Sequence, residues 1–384
     1  MSHPAGGQPD NTARDVVLYH RHPTKAPLLR EAVLPLADRA AAAGLAVHVE
    51  RHWLYGPHVR LRLRGPAELV AATAERTADA LRDRARTHPS VADLTEQQLL
   101  EQAAAAGRAE LIAPPYGPLV PDNTVRIEAV NRSSLRALLG ADGLALRDDL
   151  LRLGLPALRS ACDVLGAHGD APAARVRLAV AALTAHASAH PDGLIGGHYS
   201  FVSHLEDFLV HDDPHGRLRA AFEQRRQATR PTVTALVARI AGGAADGWEQ
   251  VWAQWSATAW QLTAERLAAG ADLGGDPQEY RERAAALGDP ATAERWDRDA
   301  RTRYSEFHRL LSRSDPQGTM WSRPDYLIYR ACTNALYRLL AICDVQPLER
   351  YLAAHLVVQA VPDVTGHDWR ARLGAVVDAV ERSA

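Results

Sequence analysis

At 384 residues and 47% hydrophobic content, the chain has room for one large domain or two ordinary ones and can bury a sizeable core. A formal net charge of −2 gives no overall bias toward nucleic acid or an anionic membrane. Cys162, Cys332 and Cys343 form no C-x-x-C pair, so neither a zinc site nor a disulfide framework follows, and buried, reduced thiols in a cytoplasmic protein are expected.

Residues 1–13 are polar, rich in Pro and Gly, and lack an apolar signal core; they are expected to be disordered. No apolar run is long enough to span a bilayer. Asp15–His20 then reads as a strand, Pro27–Ala43 as a helix stopped at Gly44, and Leu45–Trp53 and His58–Arg64 as a strand pair joined through Gly56-Pro57. Pro66–Thr87 reads as an amphipathic helix, Leu94–Ala106 as a short inserted helix, and Thr124–Val130 as a fourth strand. This order predicts a ferredoxin-like split βαβ unit over residues 14–131.

From residue 132 to 384 helical periodicity dominates: Ser134–Leu139, Leu144–Leu165, Ala173–His190, Ile195–Val210, Pro214–Ala241, Trp248–Ala268, Pro277–Leu287, Ala291–Arg313, Pro324–Val345, Pro347–Val361 and Asp368–Val380. Asp213-Pro214 reads as a helix start, and Pro347 and Pro362 as punctuation of the last helices. The tryptophans between Trp248 and Trp260 read as core packing. The expected class is therefore α+β, a split βαβ half packed on a large, mostly helical half.

Four patterns could carry chemistry. From His58 the alternation is strict, with His58, Arg60, Arg62 and Arg64 on one face and Val59, Leu61 and Leu63 on the other. A row of cations can hold an anion or a peptide carbonyl, or it can be a solvated outer face. On either reading Arg60 and Arg62 lie off the core, so alanine there is expected to leave folding nearly intact. The Pro324 helix is apolar nearly all round, apart from a polar stripe of Tyr326, Arg330, Asn334 and Tyr337, which calls for a ligand or a structural network. After Gly196-Gly197, Phe201, Leu205, Phe208 and Leu209 form a buried stripe. It is flanked by Ser200, His204 and Asp207 and by Tyr199, Ser203 and Glu206. His204 suits proton transfer, although capping and surface hydrogen bonding would use the same residue types. His211-Asp212-Asp213-Pro214-His215 has metal-ligand residue types, but Asp213 is better used as a helix cap, so no metal is assigned.

The start Val17-Leu18-Tyr19-His20, with Trp53-Leu54-Tyr55-Gly56-Pro57-His58-Val59-Arg60-Leu61-Arg62, resembles the C-terminal elimination domain of lantibiotic dehydratases. Arg330-Ala331-Cys332-Thr333-Asn334-Ala335-Leu336-Tyr337 with Glu349-Arg350-Tyr351 is similar to its thiopeptide relatives, the pyridine synthases. Elimination domains of this kind remove glutamate from glutamylated Ser or Thr, with arginines from a P-H-x-R-L-R strand, an arginine in R-Y-G-G and a histidine in H-M-x-x-N-R. The first motif is present as His58, Arg60 and Arg62. The second is replaced by Asn123-Thr124-Val125-Arg126, and at the third Arg330 stands for the histidine and Ala335 for the arginine.

The resemblance therefore implies a pyridine synthase, which joins two dehydroalanines of a precursor peptide by a formal [4+2] aza-cycloaddition and releases the leader. The alternatives are a stand-alone glutamate eliminase and a non-catalytic peptide-binding partner. The implied catalytic residues are Tyr199, Ser203, His204, Tyr326, Arg330 and Asn334. The implied peptide-binding residues are His58, Arg60, Arg62, Glu206 and Tyr337. No metal, redox or nucleotide cofactor is expected, nor tRNA or membrane as partner. The leader and core peptide are the expected partners, with a homodimer or a complex with other maturation enzymes left open.

Overall fold

The computed structural model describes residues 11–92, 94–297 and 301–383. The chain divides into two units. One comprises the residues up to Leu135 with Glu282–Asp289; the other comprises Arg136–Arg281 and the residues from Pro290 on.

The first unit follows from the strand alternation. Its elements are β1 (Asn11–Tyr19), α1 (Ala26–Leu28), a π-helical turn (Leu29–Val33), α2 (Leu34–Ala42), β2 (Ala46–His52), β3 (His58–Pro66), α3 (Ala67–Thr87), α4 (Glu96–Glu110) and β4 (Val125–Ala129). The sheet order is β2-β3-β1-β4 with every neighbouring pair antiparallel, as the split βαβ reading requires. Register puts Val16 and Val49 on either side of Leu61, and Arg14 and Val47 on either side of Leu63. The apolar members of this face are sealed by α3 against β1, β3 and β4 and by α2 against β2; Val16, Val47, Val49, Leu61 and Leu63 are buried. The β2–β3 turn needs Gly56, whose φ of 115° side chains resist, and the Gly56 N–H closes it on Trp53 O at 3.0 Å. The strand β1 starts at Asn11 rather than at Asp15, and residues 1–10 of the expected disordered start lie outside the described residues. The helix α4 is inserted ahead of β4 without disturbing its pairing to β1, because a capping box between Thr95 and Gln98 makes α4 a self-contained element.

The second unit is helical, and its first and seventh helices each run partly into the first unit: α5 (Ser133–Leu153), bent at Gly140, α6 (Leu155–Ala167), α7 (Pro172–Ser188), α8 (Gly193–Asp212), α9 (Arg217–Ala241), α10 (Gly247–Ala268), α11 (Pro277–Ala286), α12 (Pro290–Trp296), α13 (Glu306–Ser314), a 3-10 turn (Thr319–Ser322), α14 (Pro324–Ile342), α15 (Pro347–Thr365) and α16 (Trp369–Ser383). The centre is α7, buried continuously from Leu178 to Ala187 and packed by α8, α9, α10 and α15. Its alanines let neighbours approach closely. A Cβ at Gly197 of α8 would lie 2.3 Å from Ala187 O, so glycine is required where α8 crosses α7. Trp252 and Trp255 of α10 are core residues, as expected, and the Trp255 indole N–H donates to Leu150 O at 3.2 Å. All three cysteines are buried thiols, none of them in a disulfide.

Several helix boundaries differ from the sequence reading: the segment expected as helices over Ser134–Leu139 and Leu144–Leu165 forms α5, bent at Gly140, and α6, divided at Gly154. The helix α9 starts at Arg217, behind Gly216 at φ 69°; Pro214 lies in the preceding turn, while the Asp213 carboxylate still accepts the Arg219 N–H at 2.9 Å. The single helix expected over Ala291–Arg313 is two, because Ser305 caps a new start at Glu306. Pro362 does not end α15, which continues to Thr365 and is closed by Gly366 at φ 72°. Among the described residues no helix is long and apolar enough to cross a membrane.

Candidate functional site

The polar face of the sheet is not a row of cations. Strands β1 and β2 place Asp15 opposite Arg62 and Glu50 opposite Arg60. Arg62 donates through Nε and Nη2 to both Asp15 oxygens at 2.7 and 2.6 Å, and both residues are 3% exposed. The Arg62 Nη1 lies 3.8 Å from Glu50, and Arg60 Nε lies 3.6 Å from Asp15. His58 is buried, and its Nδ1–H donates to Gly56 O at 2.9 Å. Burial and the Arg60 charge hold its pKa down to about 3. The neutral ring therefore accepts the Arg60 guanidinium at Nε2, 3.1 Å away. The expectation that alanine at Arg62 would spare folding is corrected: this guanidinium is an interior group, and Arg60 is the more accessible of the two.

In the helical unit α8 and α14 bring together three residues expected from the sequence. The His204 Nδ1 and the Tyr337 hydroxyl are 3.0 Å apart, and Ser203, the neighbour of His204, lies 3.0 Å through Oγ from His308 Nε2 of α13. His204 remains open to solvent, yet the protein around it is dense enough that desolvation, with Arg350, lowers its pKa to about 4. Burial raises the Tyr337 pKa above its usual value. At neutral pH the pair is thus two uncharged, hydrogen-bonding groups. The Arg350 guanidinium lies over the Tyr337 ring at 4.4 Å and the Tyr351 ring at 5.1 Å, and Tyr351 stacks on Phe208 at 3.9 Å. On the same face of α8, Asp207 pairs with Arg295 at 2.8 Å and with Arg301.

Other expected site residues are committed elsewhere. The Arg330 Nη2 donates to the carbonyl oxygens of Leu273 and Gly274 at 2.6 and 2.7 Å, and its guanidinium lies 5.8 Å from the Tyr326 ring, which meets Trp321 edge-on. Asn334 is exposed. The stripe on α14 is therefore divided by its partners: Tyr337 faces α8, and Arg330 ties down the loop after α10. Glu206 is buried in a two-pronged pair with Arg219, at 3.0 and 2.9 Å. Tyr199 packs on Phe307 and bonds Arg372. In the His211–His215 stretch, His211 lies 3.9 Å from Asp207 and Asp212 pairs with Arg295 at 3.3 Å.

Arg330→Ala is expected to lower stability by about 1–3 kcal/mol, because it leaves two loop carbonyls without their charged donor. Thermal unfolding checks this. Lost turnover at an unchanged melting point would instead return Arg330 to the chemistry.

Several buried or half-buried imidazoles are held neutral. His58 and His186 are shifted to about 3, and His20 and His198 to about 4, each chiefly by desolvation. In the unfolded chain these groups titrate near 6.5, so between the two values the unfolded state binds more protons. Stability is therefore expected to hold above about pH 6.5. It should fall as pH drops through that value, and the loss should level off only below the folded pKa values of about 3–4. Urea midpoints across this range test it, and a flat profile from 6.5 to about 4 would contradict it.

His308, Ser305, Arg350 and the two arginines on Asp207 escaped the sequence reading as site residues. The available signal was Ser305 ahead of Glu306, an N-cap followed by an acidic first turn, which marks a helix start three residues before His308.

The chain is similar over nearly its whole length to two solved structures. One, described as the pyridine synthase TbtD from thiomuracin biosynthesis, superposes with a TM-score of 0.66 at 20% identity, covering 92% of this chain and 99% of that one. The other, TsrL, gives a TM-score of 0.61 at 16% identity, covering 96% of this chain and 99% of that one. At these identities the likeness is one of fold. No family model and no curated protein matches the chain.

Proposed function

We propose that this protein is a thiopeptide pyridine synthase, acting on a precursor peptide that carries two dehydroalanines. The observation that carries this reading is the set of neutral, pre-positioned groups Ser203, His204 and Tyr337 on α8 and α14, in a chain with the fold of TbtD. A formal [4+2] aza-cycloaddition needs one amide in its iminol form, as part of the diene, and a second dehydroalanine alkene held against it. Loss of water and of the leader as its amide then gives the aromatic ring, with no oxidant required. Holding the two alkenes together supplies much of the acceleration. Hydrogen bonds to the amide oxygen, and a neutral base to take its N–H proton, supply the rest. His204 suits the base, Ser203 and Tyr337 suit the donors, and the Arg350 and Tyr351 surfaces suit a flat portion of the peptide.

Glutamate elimination is less well served. Its anion would need free guanidinium groups, yet Arg62 is closed on Asp15 and Arg330 on two backbone carbonyls. Incubation of the purified protein with a glutamylated precursor peptide is expected to release no free glutamate. Stoichiometric release, followed by amino-acid analysis, would favour the eliminase.

A further inference from the structure

The side chain of His308 is held at both ring nitrogens by serine hydroxyls: Ser305 Oγ lies 2.8 Å from Nδ1, and Ser203 Oγ lies 3.0 Å from Nε2. The two hydroxyls come from different elements, the N-cap of α13 and the middle of α8. This arrangement fixes the direction of the chain. As the cap, Ser305 Oγ accepts the backbone N–H of His308 at 3.3 Å. Ser305 is 2% exposed, and among the described residues its hydroxyl hydrogen has no acceptor other than His308 Nδ1. A buried hydroxyl does not leave its proton unpaired, so Ser305 donates to Nδ1 and Nδ1 carries no proton. The ring is neutral: burial lowers its pKa, against Asp207 and Glu206 and alongside Arg301 and His211, the charged and titratable groups that face it. Asp207 is itself spent on Arg295 and Arg301. A neutral ring without a proton on Nδ1 carries it on Nε2, and that N–H donates to Ser203. Thr184 and Ser188 of α7 turn their hydroxyls back on the helix, bonding the carbonyl one turn earlier. Among the described residues no such bond is made by Ser203, so its own hydrogen is left to donate outward.

We propose that Ser305 and His308 are positioning residues that set Ser203 as a one-way hydrogen-bond donor to a carbonyl oxygen of the peptide substrate. The inference deepens the synthase reading and rests on it for the identity of that oxygen, which would be that of the amide drawn into its iminol form. A hydroxyl that has accepted from His308 points its hydrogen at the ligand without having to reorient. This is the preorganisation that makes a donor effective as negative charge develops on oxygen.

Two measurements on the full-length protein separate this proposal from the synthase reading. The first needs no substrate. Proton-detected spectra of ¹⁵N-histidine-labelled protein, assigned with His308→Gln, should show the His308 ring protonated at Nε2 and bare at Nδ1 across neutral pH. Ser305→Ala should populate the other tautomer. A ring protonated at Nδ1 in the unaltered protein overturns the proposal, whatever the enzyme acts on. The second uses a leader-bearing peptide with two dehydroalanines. Ser203→Ala and His308→Leu should each lower kcat by about 10²–10³-fold with little change in KM, the loss expected for one preset donor. His308→Gln places an amide nitrogen, which can only donate, where Nε2 was, and should recover most of the rate. If His308→Gln is as slow as His308→Leu at the same melting temperature, or if His308→Leu keeps full activity, the proposal fails. Absence of turnover in the unaltered protein would count against the synthase reading, and the tautomer would still be decided by the spectra.

Discussion

Arg62→Ala is expected to destabilise the protein by about 3–5 kcal/mol, because it takes both charged hydrogen bonds from a buried carboxylate and leaves it only the Arg60 guanidinium, 3.6 Å away. Asp15 is 3% exposed and receives two charged hydrogen bonds from Arg62. The comparison that gives this prediction its meaning is Arg64→Ala two residues on, at an exposed position, where a change within about 0.5 kcal/mol is expected. Replacing the pair together, as Asp15→Leu with Arg62→Met, should lose much less than Arg62→Ala alone, since no orphan charge remains. Urea unfolding of the four proteins is the check. Equal midpoints for Arg62→Ala and Arg64→Ala would mean that the Arg62–Asp15 pair carries no stability.

Tyr337→Phe is expected to reduce turnover on a peptide with two dehydroalanines by about 10²-fold, the lower end of what a positioned proton-transfer or donor group contributes. Unfolding should be little changed, since His204 stays open to water and loses no buried partner. His204→Leu should have an effect of similar size. The double variant should be no worse than the weaker of the two singles, because the hydroxyl and the imidazole act as one hydrogen-bonded unit, 3.0 Å apart. Steady-state kinetics on the three variants measure this. Fully multiplicative losses would show two independent roles, and unchanged turnover would remove the pair from the reaction.

What the sequence made legible was local. Strict alternation from His58 placed Val59, Leu61 and Leu63 on one face, and the strand–helix order placed four strands in the observed antiparallel sheet. The same alternation could not tell that Arg62 would face Asp15, a residue 47 positions away, because cross-strand register is set by pairing and not by spacing. The polar stripe of α14 was legible as a stripe. Its division was not, since the carbonyls that claim Arg330 belong to an irregular loop at Leu273–Gly274, which carries no periodic signal. Likewise Ser203 and His204 stood out on α8, but His308 was hidden inside what read as one long helix. A single serine cap, Ser305, changes that segment from a continuous helix to a break followed by α13. The Asp15–Arg62 pair and the Arg330 contacts join elements remote in sequence, whereas the Ser305 cap is a local signal that the helical periodicity around it masked.

The proposed reaction of this chain is closure of a pyridine ring. The direct measurement is mass spectrometry, with ultraviolet absorbance, of the purified protein incubated with a leader-bearing peptide that contains two dehydroalanines at macrocycle spacing. No metal, nucleotide or redox cofactor is added. Two products are expected: the leader released as its C-terminal amide, and a macrocycle lighter than the core peptide by one water and one ammonia, the latter being the nitrogen that leaves with the leader, with the absorbance of a pyridine. Recovery of the peptide unchanged under conditions where the protein is folded and binds it would contradict the account and leave a peptide-binding role in its place.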